Sequence, residues 1–342
     1  MIEVTQGTLT IEPGVTVMFE NGAGILVKEE GSITAIGEQG NEVYFVSKNG
    51  KRGDWNGITV LSSKATNVFS YCRFEHGGHV SNEFGRANLI IGSHTNPAKA
   101  EVSHNTITTS AGNGIIISEG SEIRGFNSNN ISVNTGYPVS IHITNAGSLE
   151  DGNTYSNNGK EFIELTGSGD NLILKPAVIN PLNESYALSG HIIAGNNITI
   201  GAGTHIYMNS GAQLTLNGIE GSGSLTAVGS QSRPITFTGV YATIGLWNAI
   251  NFKSSASALN QLEHCIITGG GGIAQNNLGM LNFMCSGAGP GQISIRNCTV
   301  SNSAANGIYI QKSNTTYNTD IETANTFSGN TGVNVYYDVI TQ

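Results

Sequence analysis

GDWNGITV occupies residues 53–60, and GLWNAINF occupies residues 245–252. Two near-identical octets so far apart call for a search for internal repeats before any other reading. Working outward, LTIEPGVTVMFENGAGILV (9–27) matches ITIGAGTHIYMNSGAQLTL (198–216), and GSITAIGEQGNEVYFVS (31–47) matches GSLTAVGSQSRPITFTG (223–239). Beyond the tryptophans, YCRFEHGG (71–78) matches HCIITGGG (264–271) and TITTSAGNGIII (106–117) matches TVSNSAANGIYI (299–310). NISVNTG (130–136) resembles NTFSGNTG (325–332). Ile11 pairs with Ile200, Trp55 with Trp247 and Gly114 with Gly307, a nearly constant separation. The expected organisation is therefore two tandem copies of a unit of about 190 residues.

A shorter rhythm runs inside each copy. Apolar runs such as LTI, VTVMF, ILV, ITAI, VYFV and ITVL recur, bounded by Gly and Asn. Apolar and polar residues alternate within them, as a half-buried strand requires, and the runs recur at roughly 20–25 residues. Glycine breaks them too often for helices. Asn-x-apolar-x-x-Asn-x-Gly recurs at NTYSNNG (153–159) and NTFSGNTG (325–332), and loosely at 105–112. Asn and Gly tolerate left-handed backbone at tight corners, and Asn side chains stack in ladders between equivalent turns. The expected fold is all-β: a parallel β-solenoid, with boundaries at 1–144 for the first copy, 145–185 for less regular connecting turns and 186–342 for the second copy. One continuous solenoid is expected.

Composition narrows the function classes. Charged residues are only 11% of the 342, with 46 Gly and 7 Pro. An ordinary soluble domain carries roughly 25% charged residues. The net charge of −9 argues against a nucleic-acid surface and against docking on anionic lipid. No apolar run approaches a membrane helix. The cysteines, Cys72, Cys265, Cys285 and Cys298, form no CxxC pair, so no zinc site is expected. They read as buried, reduced core thiols, and a disulfide between stacked turns is an open alternative.

The succession LTIEPG, GSITAIG, VYFVS, GDWNGI and YCRFEHGG resembles right-handed parallel β-helix proteins of the pectate-lyase-like superfold, closest to secreted or surface proteins of Bacteroidetes. The resemblance covers most of both copies. It implies a right-handed coil and an extracellular or cell-surface location. YALSGHIIAGN (186–196) reads as an entry strand to the second copy, whereas only MIEVTQG precedes the first, so a signal peptide trimmed ahead of Met1 is expected. It implies little about activity, because that superfold hosts lyases, hydrolases, adhesins and binding proteins.

Duplication supplies an internal control. A polar residue present in one copy only is not required by the fold. Arg52 and Asp54 stand where the second copy has Ile244 and Leu246, and Glu75 and His76 where it has Thr268 and Gly269. His79, Glu83 and Arg86 follow in a stretch where the second copy reads IAQNNLG; Glu101 faces Ser294, and His104 faces Asn297. Convergence on one lateral face would give an acid/base set: Glu75, His76, Arg52 and Asp54 in catalysis, with His79, Glu83, Arg86, Glu101, His104 and Trp55 binding ligand. Trp55 reads either as a core seal or as a sugar-stacking platform. The competing reading of the charged loop is solvated surface.

Known catalytic sets are incomplete. The five aspartates are scattered, the Asp pair and the Gly-His-Gly and Arg-Ile-Lys stretches of polygalacturonase-like hydrolases are missing, and no calcium loop is present. No G-x-S-x-G elbow, P-loop or regular Thr-x-Thr ladder appears in the sequence. The leading expectation is a non-catalytic extracellular β-helix in adhesion or glycan contact. A polysaccharide lyase or glycoside hydrolase using the first-copy residues, and a structural spacer in a longer surface protein, are the alternatives. No cofactor is expected; calcium stays open without a motif. The expected partner is a polysaccharide or cell-surface glycan, with no nucleic acid and no membrane insertion, and the chain is expected to be a monomer.

Overall fold

The computed structural model describes residues 1–272, 278–284 and 290–338. Two compact units divide it, Met1–Glu164 and Leu165–Gln342. Each is a parallel β-helix: short strands repeat in a three-stack cycle, and each strand pairs in parallel with its equivalent one turn on.

In the first unit, the first stack holds Ile58–Val60, Ala87–Ile91, Asn113–Ile117 and Val139–His142. The second holds Val68–Ser70, Lys99–Ser103 and Glu122–Asn127. The third holds Thr16–Phe19, Val43–Ser47, Cys72–Glu75, Thr106–Thr108, Asn130–Ser132 and Thr154–Ser156. The long strand Ile25–Ile36 serves both of the first two stacks, pairing with Ile58–Val60 at one end and Val68–Ser70 at the other. It turns the corner at Gly31, where a Cβ would lie 2.0 Å from the Val4 carbonyl oxygen. Only glycine fits so close a backbone approach.

Alternation decides which residues fill the core. Val27, Val60, Ile91, Ile117 and Ile141 stand in register up the first stack, all almost fully buried. Phe45, Phe74, Ile107 and Ile131 do the same in the third, and the Phe45 and Phe74 rings stack at 5.0 Å. The second unit repeats the scheme. Gln213–Asn217, Ile250–Lys253, Gly279–Met284 and Asn306–Gln311 belong to its first stack, and His205–Met208, Ile235–Gly239, Cys265–Thr268, Thr299–Ser301 and Thr326–Ser328 to its third. The turns vary more than the apolar rhythm suggests, from 20 residues between Tyr186 and Ile206 to 36 between Leu214 and Ile250. The extra length sits in loops at the corners.

Asparagine ladders hold two corners of the first unit. Asn105, Asn129 and Asn153 stack at the corner entering the third stack, each amide donating to the Oδ1 of the next. Asn134 and Asn158 repeat this at the corner leaving it. The ladders satisfy backbone groups that a tight corner strips of sheet partners. The backbone beside them is left-handed: Tyr71, His104 and Ser128 at one corner, His76, Thr109, Val133 and Asn157 at the other, all have φ between 50° and 68°.

Cysteine substitutes for asparagine in the second unit. The Cys72 N–H donates to Asn105 Oδ1 at 2.9 Å, whereas the Cys265 N–H donates to Cys298 Sγ at 3.4 Å. Cys72, Cys265 and Cys298 are free and buried; Cys285 lies outside the described residues. Burial pushes the Cys72 thiol up to about 12. A thiolate is the reactive species, so this thiol is inert at neutral pH. Alkylation at pH 8 followed by peptide mapping is expected to leave Cys72, Cys265 and Cys298 unmodified until denaturant is added. Labelling of Cys72 in the native protein would contradict its placement.

Candidate functional site

The residues singled out by comparing the two copies do not all converge. Arg52, Asp54, Glu75 and His76 meet at one corner, where the Asp54 N–H donates to the His76 carbonyl oxygen at 3.2 Å, and the others fall on a covering loop, on another stack and at another corner.

Asp54 is 6% exposed and fully engaged. Its carboxylate accepts from Ser47 Oγ at 2.5 Å, Asn49 Nδ2 at 3.1 Å and Asn21 Nδ2 at 3.0 Å. The Ser47 and Asn21 hydrogen bonds hold its pKa below the usual carboxylate range. Such a group stabilises the fold above its unfolded pKa of about 3.9, and the contribution is lost as pH falls through the lower folded value. Asp54→Asn is therefore expected to lower stability at pH 7, with the difference from wild type narrowing as the pH falls below about 4. Denaturant titrations at pH 7 and pH 3 check this; a constant difference would contradict it. Arg52 is also occupied, donating through Nη1 to the carbonyl oxygens of Ser110 at 3.2 Å and Val133 at 2.6 Å. Both are fastenings of the corner.

Trp55 corrects the sugar-platform reading. It has no exposed surface, its ring stacks on Phe19 at 4.2 Å, and Nε1 donates to the Glu75 carbonyl oxygen at 2.7 Å. Trp247, equally buried, donates to the Thr268 carbonyl oxygen at 3.0 Å. Trp55 seals the core, and no sugar ring reaches its face.

His79, Glu83 and Arg86 belong to the loop 76–86, which lies against the outer row of the first stack. Asn82 Nδ2 donates to the Asn56 carbonyl oxygen at 2.8 Å and reaches Thr59 Oγ1 at 3.3 Å. The outward-facing Thr59 and Ile90 are consequently buried. His79 Nδ1 accepts the Ser81 N–H at 3.1 Å, and Arg86 Nε donates to the Gly78 carbonyl oxygen at 3.2 Å. Glu83 is exposed. The matching loop of the second unit includes residues 273–277, outside the described residues.

Glu101 stands on the second stack, beside Arg124 one turn on. His104 is exposed at the next corner, its ring stacked on Tyr71 at 4.6 Å. Glu101 and Glu75 therefore belong to different faces of the coil.

Glu75 does gain neighbours, and they are residues that the sequence comparison missed. Tyr44 and Arg73 are in register on the outer face of the third stack, one row from Glu75. Arg73 Nε donates to Glu75 Oε1 at 2.5 Å, and the Tyr44 hydroxyl donates to Glu42 Oε2 at 3.4 Å. Backbone N–H groups at Glu42 and Gly40 hold the Glu42 carboxyl below its usual range, with Tyr44 and Arg73 adding to the effect. His76 follows Glu75 in left-handed backbone at φ 68°, and its Nδ1 is buried without a hydrogen-bond partner. The second unit has Gly269 there, at φ 82°. Left-handed backbone costs of order 1–2 kcal/mol outside glycine, but Thr109 and Val133 adopt it on the next turns. The strain belongs to the corner and marks no site.

In each unit the outer face of the third stack carries two rows made mostly of hydroxyl side chains. In the first unit Thr106, Asn130 and Thr154 form one row, and Thr108, Ser132 and Ser156 the other. In the second unit Thr236, Ile266, Thr299 and Thr326 run beside Thr238, Thr268, Ser301 and Ser328. Adjacent turns touch, with Ser301 Oγ donating to Thr268 Oγ1 at 3.1 Å. The sequence conceals this ladder because its members lie 24 to 33 residues apart and become neighbours only through register between turns.

One further polar group lies on the first stack of the second unit. His191 Nε2 is 2.9 Å from Thr215 Oγ1 and 3.1 Å from Gln213 Nε2, and Nδ1 is 3.6 Å from Asp170 Oδ1. Burial lowers the His191 pKa against the opposing pull of Asp170. Thr215 is buried and Asp170 is almost fully in solvent, so the order hydroxyl–imidazole–carboxylate lacks an open approach to the hydroxyl. Among the described residues no group of three or more His, Cys, Asp or Glu side chains is placed to hold a metal ion, and no helix is long and apolar enough to cross a membrane.

No family model, curated protein or solved structure matches the chain.

Proposed function

We propose that the chain is a non-catalytic extracellular or cell-surface β-helix, descended from the pectate-lyase-like scaffold, that contacts glycan through the outer face of the third stack in each unit. The observation that supports this most is the two-row ladder of Thr, Ser and Asn on that face. Hydroxyl and amide groups both donate and accept, so they suit the mixed hydrogen bonding of sugar hydroxyls. The dispersal of the charged residues argues in the same direction. Asp54 is held by Ser47, Asn49 and Asn21, Glu75 by Arg73 and Glu42 by Tyr44, and Glu101 stands on another stack, whereas glycosidic cleavage needs two carboxyl groups free to act roughly 5–9.5 Å apart across one bond.

Incubation with plant, host and microbial polysaccharides is the test, reading new reducing ends and the ultraviolet absorbance of unsaturated uronates, alongside retention on immobilised glycans. Retention without turnover is the expected result. Turnover that disappears in Glu75→Gln or His76→Ala would overturn the proposal in favour of a lyase or hydrolase.

A further inference from the structure

We infer that the glycan taken by this face is neutral rather than a polyuronate, a refinement that rests on the glycan-contact reading above.

In the rows running from Tyr44 and Val46 to Thr154 and Ser156 of the first unit, Arg73 and Glu75 are the two charged side chains. They are bonded to each other, Nε to Oε1 at 2.5 Å. Glu42, beside Tyr44, adds a second carboxylate within the field of Arg73. The one guanidinium on the face thus stands between two carboxylates. In the second unit the corresponding rows, from His205 and Tyr207 to Thr326 and Ser328, hold no Lys, Arg, Asp or Glu.

A polyuronate brings one carboxylate per sugar and requires unengaged cations, most effectively the bidentate fork of arginine. This face offers it none among the described residues. The rest of the chain does not help, since its net charge is −9. That charge repels a polyanion over the Debye length, about 8 Å at physiological salt. A neutral chain avoids both penalties. Its hydroxyls meet Thr, Ser and Asn groups repeating at the strand spacing, about 4.8 Å from turn to turn. Tyr44 and Tyr207, both partly exposed, add apolar ring surface to the face.

The measurement is affinity electrophoresis of the whole chain through gels containing neutral polysaccharides (mannan, xylan, a β-glucan) or anionic ones (polygalacturonate, alginate), at low and high salt. Retardation by at least one neutral polysaccharide, insensitive to salt, is the expected result. Thr154→Lys and Thr326→Lys, both at exposed positions, are expected to weaken it about fivefold. Glu75→Gln releases Arg73 from its partner and is expected to introduce salt-sensitive retardation by polygalacturonate. Circular dichroism and melting curves confirm that each variant is folded. Stronger retardation of the wild type by polygalacturonate or alginate than by any neutral polysaccharide would overturn this inference and leave glycan contact standing. The absence of retardation by every polysaccharide would overturn both.

Discussion

Trp55→Ala is expected to destabilise the first unit by about 3–5 kcal/mol, the range for deleting a large buried aromatic side chain. Three losses combine. The indole is fully buried, so its removal leaves a large void. Phe19 loses the ring stacked on it at 4.2 Å. The Glu75 carbonyl oxygen loses the indole N–H donor at 2.7 Å. Trp247→Ala is expected to cost the second unit a similar amount, because that ring is equally buried and donates to the Thr268 carbonyl oxygen. The chain has only two tryptophans, so each variant keeps one fluorophore in the unmutated unit. Urea titrations followed by circular dichroism and by fluorescence then separate the two units. Trp55→Phe keeps most of the volume and is expected to lose far less. A loss below about 1 kcal/mol for Trp55→Ala would mean that the site collapses around the deletion.

Asn129→Ala is expected to cost about 2–5 kcal/mol, since each buried backbone group left unpaired costs roughly 1–3 kcal/mol. Asn129 Oδ1 accepts the Asn105 N–H at 3.1 Å and the Asn105 side-chain amide at 3.1 Å. Its own amide donates to the Val102 carbonyl oxygen at 3.0 Å and to Asn153 Oδ1 at 2.9 Å. Alanine supplies none of these, and the site is too buried for water to replace them. Asn130→Ala, one residue away on the exposed outer face, is the matched control and is expected to change stability by less than about 0.5 kcal/mol. Thermal or urea unfolding distinguishes them. Equal losses in the two variants would refute the role of the ladder.

The sequence makes the parallel β-helix readable because its signals are local. Alternation in VYFV places Phe45 inside and Tyr44 outside, and the recurring Asn-x-Gly corners locate the ladders. The site is less readable for two physical reasons. Side chains on the face of a parallel coil become neighbours only through register between turns, and turn lengths vary. Arg73 and Tyr44 are 29 positions apart and meet in the structure, yet nothing local in the sequence links them. The covering loop is the second reason. A charged stretch such as HGGHVSNEFGR reads as a lateral cluster, but Asn82 binds it down over Thr59, and this turns His79 and Arg86 to bonds with their own loop. Comparing the copies also has a blind spot: it picked out Asp54 and Arg52 as dispensable to the fold, while the structure uses both to fasten a corner that the second unit closes without them.

The ladders also set rules for how such a chain can lengthen during evolution. Successive members are separated by 33 residues from Cys72 to Asn105 and by 24 from Asn105 to Asn129, yet every rung meets the next in the same way. Insertions between rungs are thus absorbed as outward excursions, of which loop 76–86 is one, and leave the pairing above and below untouched. A single-residue insertion inside Thr106–Thr108 or Asn130–Ser132 has no such outlet, and would throw inward and outward side chains onto the wrong faces. New binding specificity can therefore be acquired at the corners by length variation, whereas the flat faces between them are open only to substitution.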